Sequence, residues 1–245
     1  MANGGAGLAR VGGKVHFVTG AFVGDTVTVK NKKEKKTHVL SSLDKVVNPS
    51  SERVVSICPQ SQSCGGCLWA EMKVSSQTVW KKKFLESLLK HALKNNEIPQ
   101  VQVKESTENI FYRSRVRCSL TVAANGTVQV SFRERSSKFL ASFDSCFVAT
   151  KKINFFLKTI KTLSFTSKKI ETQIEVLESE NGLLVGLKDD VLSQEDKDVM
   201  LSLDNVIWVG SKKDLKKQKP FLWDHFLGVS FYSYPLSFQQ ANKTQ

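Results

Sequence analysis

The sequence predicts a small β-barrel over residues 1–55, followed by a larger α+β domain. Three observations predict this fold class. The first 55 residues alternate apolar and polar side chains in short segments, residues 58–67 hold three of the five cysteines, and the rest of the chain mixes β-hairpins with amphipathic helices. A length of 245 residues, 40% of them hydrophobic, is enough for one large domain or two to three small ones.

The predicted barrel is built from short strands. Their alternation places them at residues 15–18, 26–29, 37–40 and 45–47. Gly24 and Asp25 predict a turn, and the hydrophilic stretch at residues 30–36 predicts a hairpin tip. In size and strand content this segment is similar to the OB-like modules that bind nucleic acids.

The net charge predicts a polyanionic partner. Thirty-six Lys and Arg face 23 Asp and Glu, which gives +13, and the basic residues form short clusters along the whole chain. Nucleic acid is the first candidate, and solvated faces without a ligand are the alternative for any single cluster. With no run of about 18 apolar residues and no secretory signal, we expect a cytoplasmic protein with no membrane association.

The clearest hairpin signal lies at residues 115–133. Apolar residues alternate with polar ones on both sides of an Asn125-Gly126 turn, so one face of the hairpin is predicted to be buried. The opposite face collects four arginines, namely Arg113, Arg115, Arg117 and Arg133. Because guanidinium groups bind phosphate well, these arginines are the candidate RNA-binding residues, with solvated arginine as the alternative.

Further elements complete the α+β domain. Helices are predicted after Ser75 and Ser76, over residues 153–163, and from Ser193 to Leu203. A second hairpin is predicted around residues 180–182, and the segments 205–209 and 229–232 are strand-like.

Three cysteines within ten residues indicate a metal or cluster site. Cys58, Cys64 and Cys67 could bind zinc or a [4Fe–4S] cluster with one further ligand, and the spacing does not choose between them. Cys118 lies between Val116 and Leu120 on the apolar face of its strand, which favours a buried thiol. Cys146 is therefore the candidate fourth ligand, and His91 is the alternative if the metal is zinc.

The order of the motifs resembles a known family. Residues 13–25, Gly-Lys-Val-His-Phe-Val-Thr-Gly-Ala-Phe-Val-Gly-Asp, resemble a TRAM domain, a small RNA-binding barrel. Ser-Glu-Arg-Val at 51–54, the cysteines at 58–67, Gln77 and Lys81 resemble the cluster region of the RNA (uracil-5-)-methyltransferases. The Tyr-Arg pair at 112–113 and the segment Pro-Leu-Ser-Phe-Gln-Gln-Ala-Asn at 235–242 are similar to that family's central domain and its Ser-Phe-x-Gln-x-Asn motif.

The resemblance implies cofactors and site residues. A [4Fe–4S] cluster would be held by four cysteines, namely Cys58, Cys64, Cys67 and Cys146. Phe238 would lie near a flipped target base, and Gln240 would contact S-adenosylmethionine. Residues 56–228 would form the cluster-binding and RNA-binding central domain, and 229–245 the beginning of an α/β Rossmann-like methyltransferase domain.

The implied function is the methylation of uracil at carbon 5 in rRNA or tRNA. No catalytic residue is expected within this chain, because the family's nucleophilic cysteine and general base would lie beyond Gln245. We therefore expect the chain alone to be inactive, with a methyltransferase domain supplied by a longer product or a second chain. The alternative is a non-enzymatic RNA-binding module stabilised by an iron–sulfur or zinc site.

Overall fold

The structure is a computed structural model, and it divides the chain into two compact units. It describes residues 1–2, 4–94, 97–135, 137–216, 220–226 and 228–234. Unit 1 comprises Met1–Gln62 and Cys67–Glu105, and unit 2 comprises Ser63–Gly66 and Ser106–Gln245. The predicted domain limits at residues 1–55, 56–228 and 229–245 stay predictions.

Unit 1 begins with a four-stranded sheet. Its strands are β1 (Gly7–Val11), β2 (Lys14–Thr19), β3 (Thr26–Glu34) and β4 (His38–Asn48). The order in the sheet is β1-β2-β4-β3, with β2 and β4 parallel and the other two pairs antiparallel. The predicted strands at 15–18 and 26–29 are confirmed, whereas closure into an OB-like barrel stays a prediction.

The sequence misplaces the hairpin tip of this sheet. Residues 30–34 belong to β3 rather than to a turn, and the two predicted strands at 37–40 and 45–47 are one strand, β4. A register shift between Lys30 and Lys33 lets the charged end of β3 stay paired with β4. Charged side chains suit this position because β3 lies at the sheet edge.

Helix α1 (Val74–Ala92) follows the cysteine-rich loop in unit 1. It begins one to two residues before the predicted caps, and its N-cap residue is Lys73 rather than Ser75 or Ser76. The reason is that Lys73 donates its backbone N–H to the carbonyl of Glu52 at 2.9 Å, which fixes the chain entering the helix. In the sequence, Asn95-Asn96 is the signal that predicts the end of this helix, and these two residues lie outside the described ones.

Unit 2 is built on a six-stranded mixed sheet. Its order is β10-β9-β8-β5-β6-β7, with only the pair β9 and β10 parallel. The strands and helices that follow α1 are β5 (Arg115–Val122), β6 (Val128–Arg133), β7 (Leu140–Ser142), α2 (Lys151–Ile160), β8 (Ile170–Ser179), β9 (Gly182–Leu187), α3 (Gln194–Leu201), β10 (Val206–Gly210), β11 (Leu222–Phe226) and β12 (Val229–Ser233).

Both predicted hairpins of unit 2 are confirmed. In the first, Gly126 has φ +88°, and a Cβ at this position would lie 2.6 Å from the carbonyl oxygen of Phe165, so only glycine fits the turn. The predicted cap of α3 is also confirmed, because the Ser193 hydroxyl accepts a hydrogen bond from the N–H of Asp196 at 3.1 Å.

The core of unit 2 lies between one sheet face and α2. The predicted inward residues of β5 are buried together with the apolar side of α2; they are Val116, Cys118, Leu120, Val122, Ile153, Phe156, Leu157 and Ile160. This packing leaves the opposite face of β5 to polar side chains, because successive residues of a strand point to opposite sides.

The remaining strands, β11 and β12, pair with each other in a two-stranded antiparallel sheet. The predicted strand at 229–232 is thereby confirmed, and its assignment to a Rossmann-like domain stays a prediction. In the part of the chain that the structure describes, no helix is long and apolar enough to cross a membrane. Phe238 and Gln240 lie outside the described residues.

Candidate cluster and RNA-binding sites

In unit 1, an ion-pair network holds the chain on both sides of the cysteine loop. Arg53 precedes Cys58, and its guanidinium lies 2.6 Å from a carboxylate oxygen of Asp25 and 2.6 Å from one of Glu71. The side chain of Arg53 is 10% exposed and that of Asp25 is fully buried. Because buried charges need partners, this network fixes the first sheet, the segment before Cys58 and the segment after Cys67 to one another.

Two further side chains of unit 1 fix the ends of the loop. The Ser61 hydroxyl donates a hydrogen bond to Glu71 at 3.1 Å. Gln77, in the first turn of α1, donates its side-chain amide to the carbonyls of Trp69 at 3.1 Å and Met72 at 3.0 Å. The Gln77 position in the family pattern therefore has a structural role, since it ties the chain after Cys67 to α1.

In unit 2, residues 63–66 are bound to the end of β6. The N–H of Gly65 donates to the carbonyl of Arg133 at 2.9 Å, and the N–H of Arg135 donates to that of Ser63 at 2.8 Å. A Cβ on Gly65 would lie 3.1 Å from the Arg133 oxygen, so a side chain there requires the strand to move. The N–H of Gly66 points to the Cys64 sulfur at 3.4 Å, as amides do toward thiolate ligands.

Cys146 lies in the loop that precedes α2. Its N–H donates to the side-chain oxygen of Asn154 at 2.7 Å, and its carbonyl accepts from the amide of the same side chain at 2.9 Å. The next residues of the loop bind the segment that enters β5, since Phe111 donates its N–H to Phe147 at 2.9 Å and Arg113 donates its N–H to Val148 at 2.7 Å.

Cys118 differs from the other four cysteines. It is 3% exposed in the core of unit 2, as the sequence predicts, whereas the others are half-buried. Burial, with a smaller contribution from the charge of Cys146, raises the pKa of the Cys118 thiol to about 12. Cys118 is therefore a neutral thiol at physiological pH, and it is unsuited to act as a nucleophile or a metal ligand.

The donor set fits an iron–sulfur cluster in its chemistry. Four half-buried cysteines on anchored loops supply the number and type of ligands that such a cluster needs, namely Cys58, Cys64, Cys67 and Cys146. Across the described ranges, no three or more His, Cys, Asp or Glu side chains are grouped so as to hold a metal ion. The ligand set accordingly stays a prediction.

The arginine face of β5 contains an acidic residue that the sequence analysis missed. Arg115 and Arg117 both donate to the same carboxylate oxygen of Glu175, at 2.7 and 2.9 Å. Glu175 lies on β8 opposite Arg117, and its side chain is 4% exposed. The available signal was a charged residue within the otherwise apolar run of residues 174–177, because such a residue needs a cationic partner.

The four predicted RNA-binding arginines differ in accessibility. The side chain of Arg115 is 16% exposed and that of Arg117 is 58% exposed. Arg133 is exposed, and the pairing of Ser119 with Ser131 places it on the same sheet face as Arg117. Arg117 and Arg133 are thus accessible to a ligand, whereas Arg115 mainly neutralises Glu175.

Comparison with known proteins agrees with the motifs. The chain is 32% identical over 184 residues to the 23S rRNA (uracil(1939)-C(5))-methyltransferase RlmD of Shewanella sp. strain MR-4, which covers 73% of this chain and 40% of that protein. It is 28% identical over 247 residues to RlmD of Tolumonas auensis, covering 96% of this chain and 56% of the relative. No family model matches the chain.

A solved structure has a similar fold. The tRNA (uracil-54, C5)-methyltransferase of Pyrococcus abyssi, in complex with S-adenosyl-L-homocysteine, superposes with a TM-score of 0.60 at 20% identity, covering 94% of this chain and 57% of that one. At this identity the likeness concerns the fold alone.

The mixed, sheet-rich fold is thus one found in enzymes that methylate RNA. The comparisons confirm the predicted resemblance to the RNA (uracil-C5)-methyltransferases. It spans about half the length of the curated relatives that it matches, from 40% to 56%.

Proposed function

We propose that this chain is the RNA-binding and cluster-bearing part of an enzyme that methylates carbon 5 of uracil in ribosomal RNA with S-adenosylmethionine. The observation that carries the proposal is the 32% identity to a 23S rRNA methyltransferase over 184 residues. Ribosomal RNA is favoured over tRNA because the sequence relatives named above carry the rRNA name, whereas the tRNA enzyme is similar only in fold. We also propose a cytoplasmic location.

The proposed cofactor site uses four cysteines. Cys58, Cys64, Cys67 and Cys146 would hold a [4Fe–4S] cluster, which joins two sequence-distant loops by covalent bonds to sulfur and takes no part in methyl transfer. Support comes from the N–H of Gly66 that faces the Cys64 sulfur and from the hydrogen bonds that fix the Cys146 loop. The cluster is proposed to maintain the conformation of the RNA-binding face.

We propose that each unit binds RNA by a surface of its own: unit 2 by the arginine face, and unit 1 by residues 1–55, which would fold as a TRAM-like OB barrel. Arg117 and Arg133 would contact phosphates, Arg113 would join them at the entrance to β5, and Arg115 would orient Arg117 through Glu175. In addition to these individual contacts, the net charge of +13 favours binding to the negatively charged RNA backbone. Phe238 and Gln240 are proposed to contact the flipped base and S-adenosylmethionine.

The described cysteines are not proposed to carry out the chemistry. Addition to ring carbon 6 of uracil needs a thiolate, yet Cys118 is buried as a thiol and the other four are the proposed cluster ligands. We propose that the nucleophile and the general base belong to a methyltransferase domain of a longer product or a second chain.

The first experiment measures iron and acid-labile sulfide in protein purified without oxygen. About four irons per chain and absorption near 400 nm, roughly the region of thiolate-to-iron charge transfer, support the cluster. Zinc, which is colourless, or no metal would overturn the cluster proposal and favour a structural role for the cysteines.

A second experiment tests the substrate. We expect the chain to bind unmodified large-subunit rRNA fragments more tightly than tRNA at equal salt concentration. Methyl transfer is then measured with labelled S-adenosylmethionine on the same rRNA, using the chain alone and the chain with a methyltransferase domain. Transfer to carbon 5 of uracil only in the second sample supports the proposal, and binding without transfer in both favours a non-enzymatic RNA-binding module.

A further inference from the structure

The side chain of Asn154 makes an unusually complete set of hydrogen bonds. Its oxygen accepts from the N–H of Cys146 at 2.7 Å and the hydroxyl of Ser145 at 3.2 Å. Its amide nitrogen donates to the carbonyls of Cys146 at 2.9 Å, Ala149 at 2.9 Å and Thr150 at 3.1 Å. All five bonds go to the loop that carries Cys146.

These bonds determine the conformation of the loop around one residue. Cys146 is held through both its N–H and its carbonyl, so the direction of its Cα–Cβ bond is fixed relative to α2. The orientation of the amide is unambiguous, because the reverse orientation would place the NH₂ group against the Cys146 N–H and the oxygen against three carbonyls. Only an amide supplies both an acceptor and two donors at this length.

Helix capping does not explain the arrangement. The N-cap of α2 is Thr150, whose hydroxyl accepts a hydrogen bond from the N–H of Ile153 at 3.4 Å. Asn154 stands on a rigid base, since its neighbours Ile153 and Phe156 are at most 2% exposed in the core. A rigid base, a fixed loop and a cysteine at its centre are what a ligand-positioning residue requires.

We propose that Asn154 is the positioning residue that presents Cys146 to iron. This inference rests on the proposed cluster and adds a residue outside its four ligands. The amide would hold the Cys146 loop in one conformation both before and after the cluster is bound, so it affects how much iron the chain takes up and how slowly it loses iron.

The test compares Asn154→Asp with a matched control, both in the full 245-residue chain. Asn154→Asp keeps the oxygen that accepts from Cys146 but places a second oxygen against the three carbonyls, which opens the loop. Leu157→Ala is the matched control, because Leu157 is 1% exposed on the same helix and its truncation destabilises α2 without removing any hydrogen bond between Asn154 and the loop. Urea unfolding of both variants shows that they are folded and compares their stabilities.

The measurements are iron per chain after anaerobic purification and the rate at which absorption near 400 nm decays in excess chelator. For Asn154→Asp we expect decay roughly 10- to 100-fold faster than for the unchanged protein, the usual cost of losing a partner of a metal ligand. Leu157→Ala should decay at the unchanged rate. Asn154→Ala, which removes both halves of the amide, should behave like Asn154→Asp.

The outcomes separate the two proposals. Unchanged decay in both Asn154 variants, with iron present in the unchanged protein, would overturn the role of Asn154 and leave the cluster intact as a proposal. Equal acceleration in Leu157→Ala would show that helix stability alone governs iron loss, which also overturns it. An unchanged protein that takes up no iron would overturn the cluster and this inference together.

Discussion

Arg113 donates its backbone N–H to the carbonyl oxygen of Val148, with 2.7 Å between the two atoms. Thr150 completes the contact by donating its N–H to the carbonyl of Arg113 at 3.0 Å. The segment that brings a candidate RNA-binding arginine into β5 is therefore hydrogen-bonded to the loop that carries Cys146. We therefore expect a change in that loop to affect Arg113 through these backbone hydrogen bonds.

The first prediction follows from this contact. Replacing Cys146 by Ser should remove iron and also weaken binding of an rRNA fragment by roughly five-fold, about 1 kcal/mol, although Cys146 itself contacts no phosphate in our proposal. Fluorescence anisotropy at one fixed salt concentration measures the affinity, and iron analysis on the same sample confirms the loss. Cys118→Ala is the control, because Cys118 is buried and should leave both quantities unchanged. Equal affinities for Cys146→Ser and the unchanged protein would contradict the coupling.

The second prediction separates two neighbouring arginines. Arg117→Ala should reduce the slope of log affinity against log salt concentration by about 1, the expected result of losing one phosphate contact, with little effect on stability. Arg115→Ala should instead lower the free energy of unfolding by about 2 kcal/mol, because it weakens the pairing of the buried Glu175 carboxylate. Salt titrations of RNA binding and urea unfolding measure the two effects.

A double variant checks the cause of the Arg115 effect. Combining Arg115→Ala with Glu175→Gln removes the buried charge, so part of the lost stability should return. If Arg115→Ala is as stable as the unchanged protein and instead reduces the salt slope, Arg115 binds phosphate and its pairing with Glu175 is incidental.

The elements that the sequence predicts well depend on local signals. The β5–β6 hairpin follows from alternation around Asn125-Gly126, and the start of α3 follows from Ser193 three residues before Asp196. Strand β1 carries no such signal, because four of its five residues are exposed and show no alternation. It becomes a strand by pairing with β2, which is a tertiary effect that a local pattern does not contain.

The residues of the candidate sites also differ in whether a local sequence signal predicts them. Cysteine spacing and the arginine face are visible in the sequence, whereas their supporting residues are not. Glu175 lies 60 residues from Arg115, and Asp25 lies 28 residues from Arg53, so the pairs emerge only when the sheets form. Asn154 is close to Cys146 in sequence, yet a polar residue beside the apolar stripe of α2 looks like an ordinary surface position until its hydrogen bonds are known.

The third prediction concerns the ion-pair network of unit 1. Arg53→Met should lower the free energy of unfolding by about 3 kcal/mol, because it leaves the buried Asp25 carboxylate without its cation. Iron content should fall as well, since Glu71 then loses its link between the two sides of the cysteine loop. Urea unfolding and iron analysis measure these effects. Arg10→Met on the exposed surface of β1 is the matched control and should change neither. A fall in stability with full iron content would show that the network supports the sheet alone.

The fourth prediction is a pH dependence that originates at Asp196. Burial would raise the pKa of this carboxyl, but hydrogen bonds from Ser167, Thr166 and Ser193 outweigh it and hold the pKa below its ordinary value of 3.8. Because the folded state has the lower pKa, the carboxylate stabilises the protein above pH 3.8, and this stabilisation is lost as the pH falls through the folded-state pKa.

Asp196→Asn tests that dependence. At pH 7 the variant should be less stable by about 1–3 kcal/mol, since an amide cannot accept all the hydrogen bonds that the carboxylate accepts. The difference from the unchanged protein should shrink as the pH is lowered from 5 toward 3, because the unchanged protein then loses the carboxylate too. At each pH, the difference between the two free energies of unfolding cancels every contribution that is common to both proteins. Asp204→Asn, at an exposed position, controls for the loss of one negative charge. A difference that stays constant across this range would show that Asp196 stabilises the fold by packing and not by its charge.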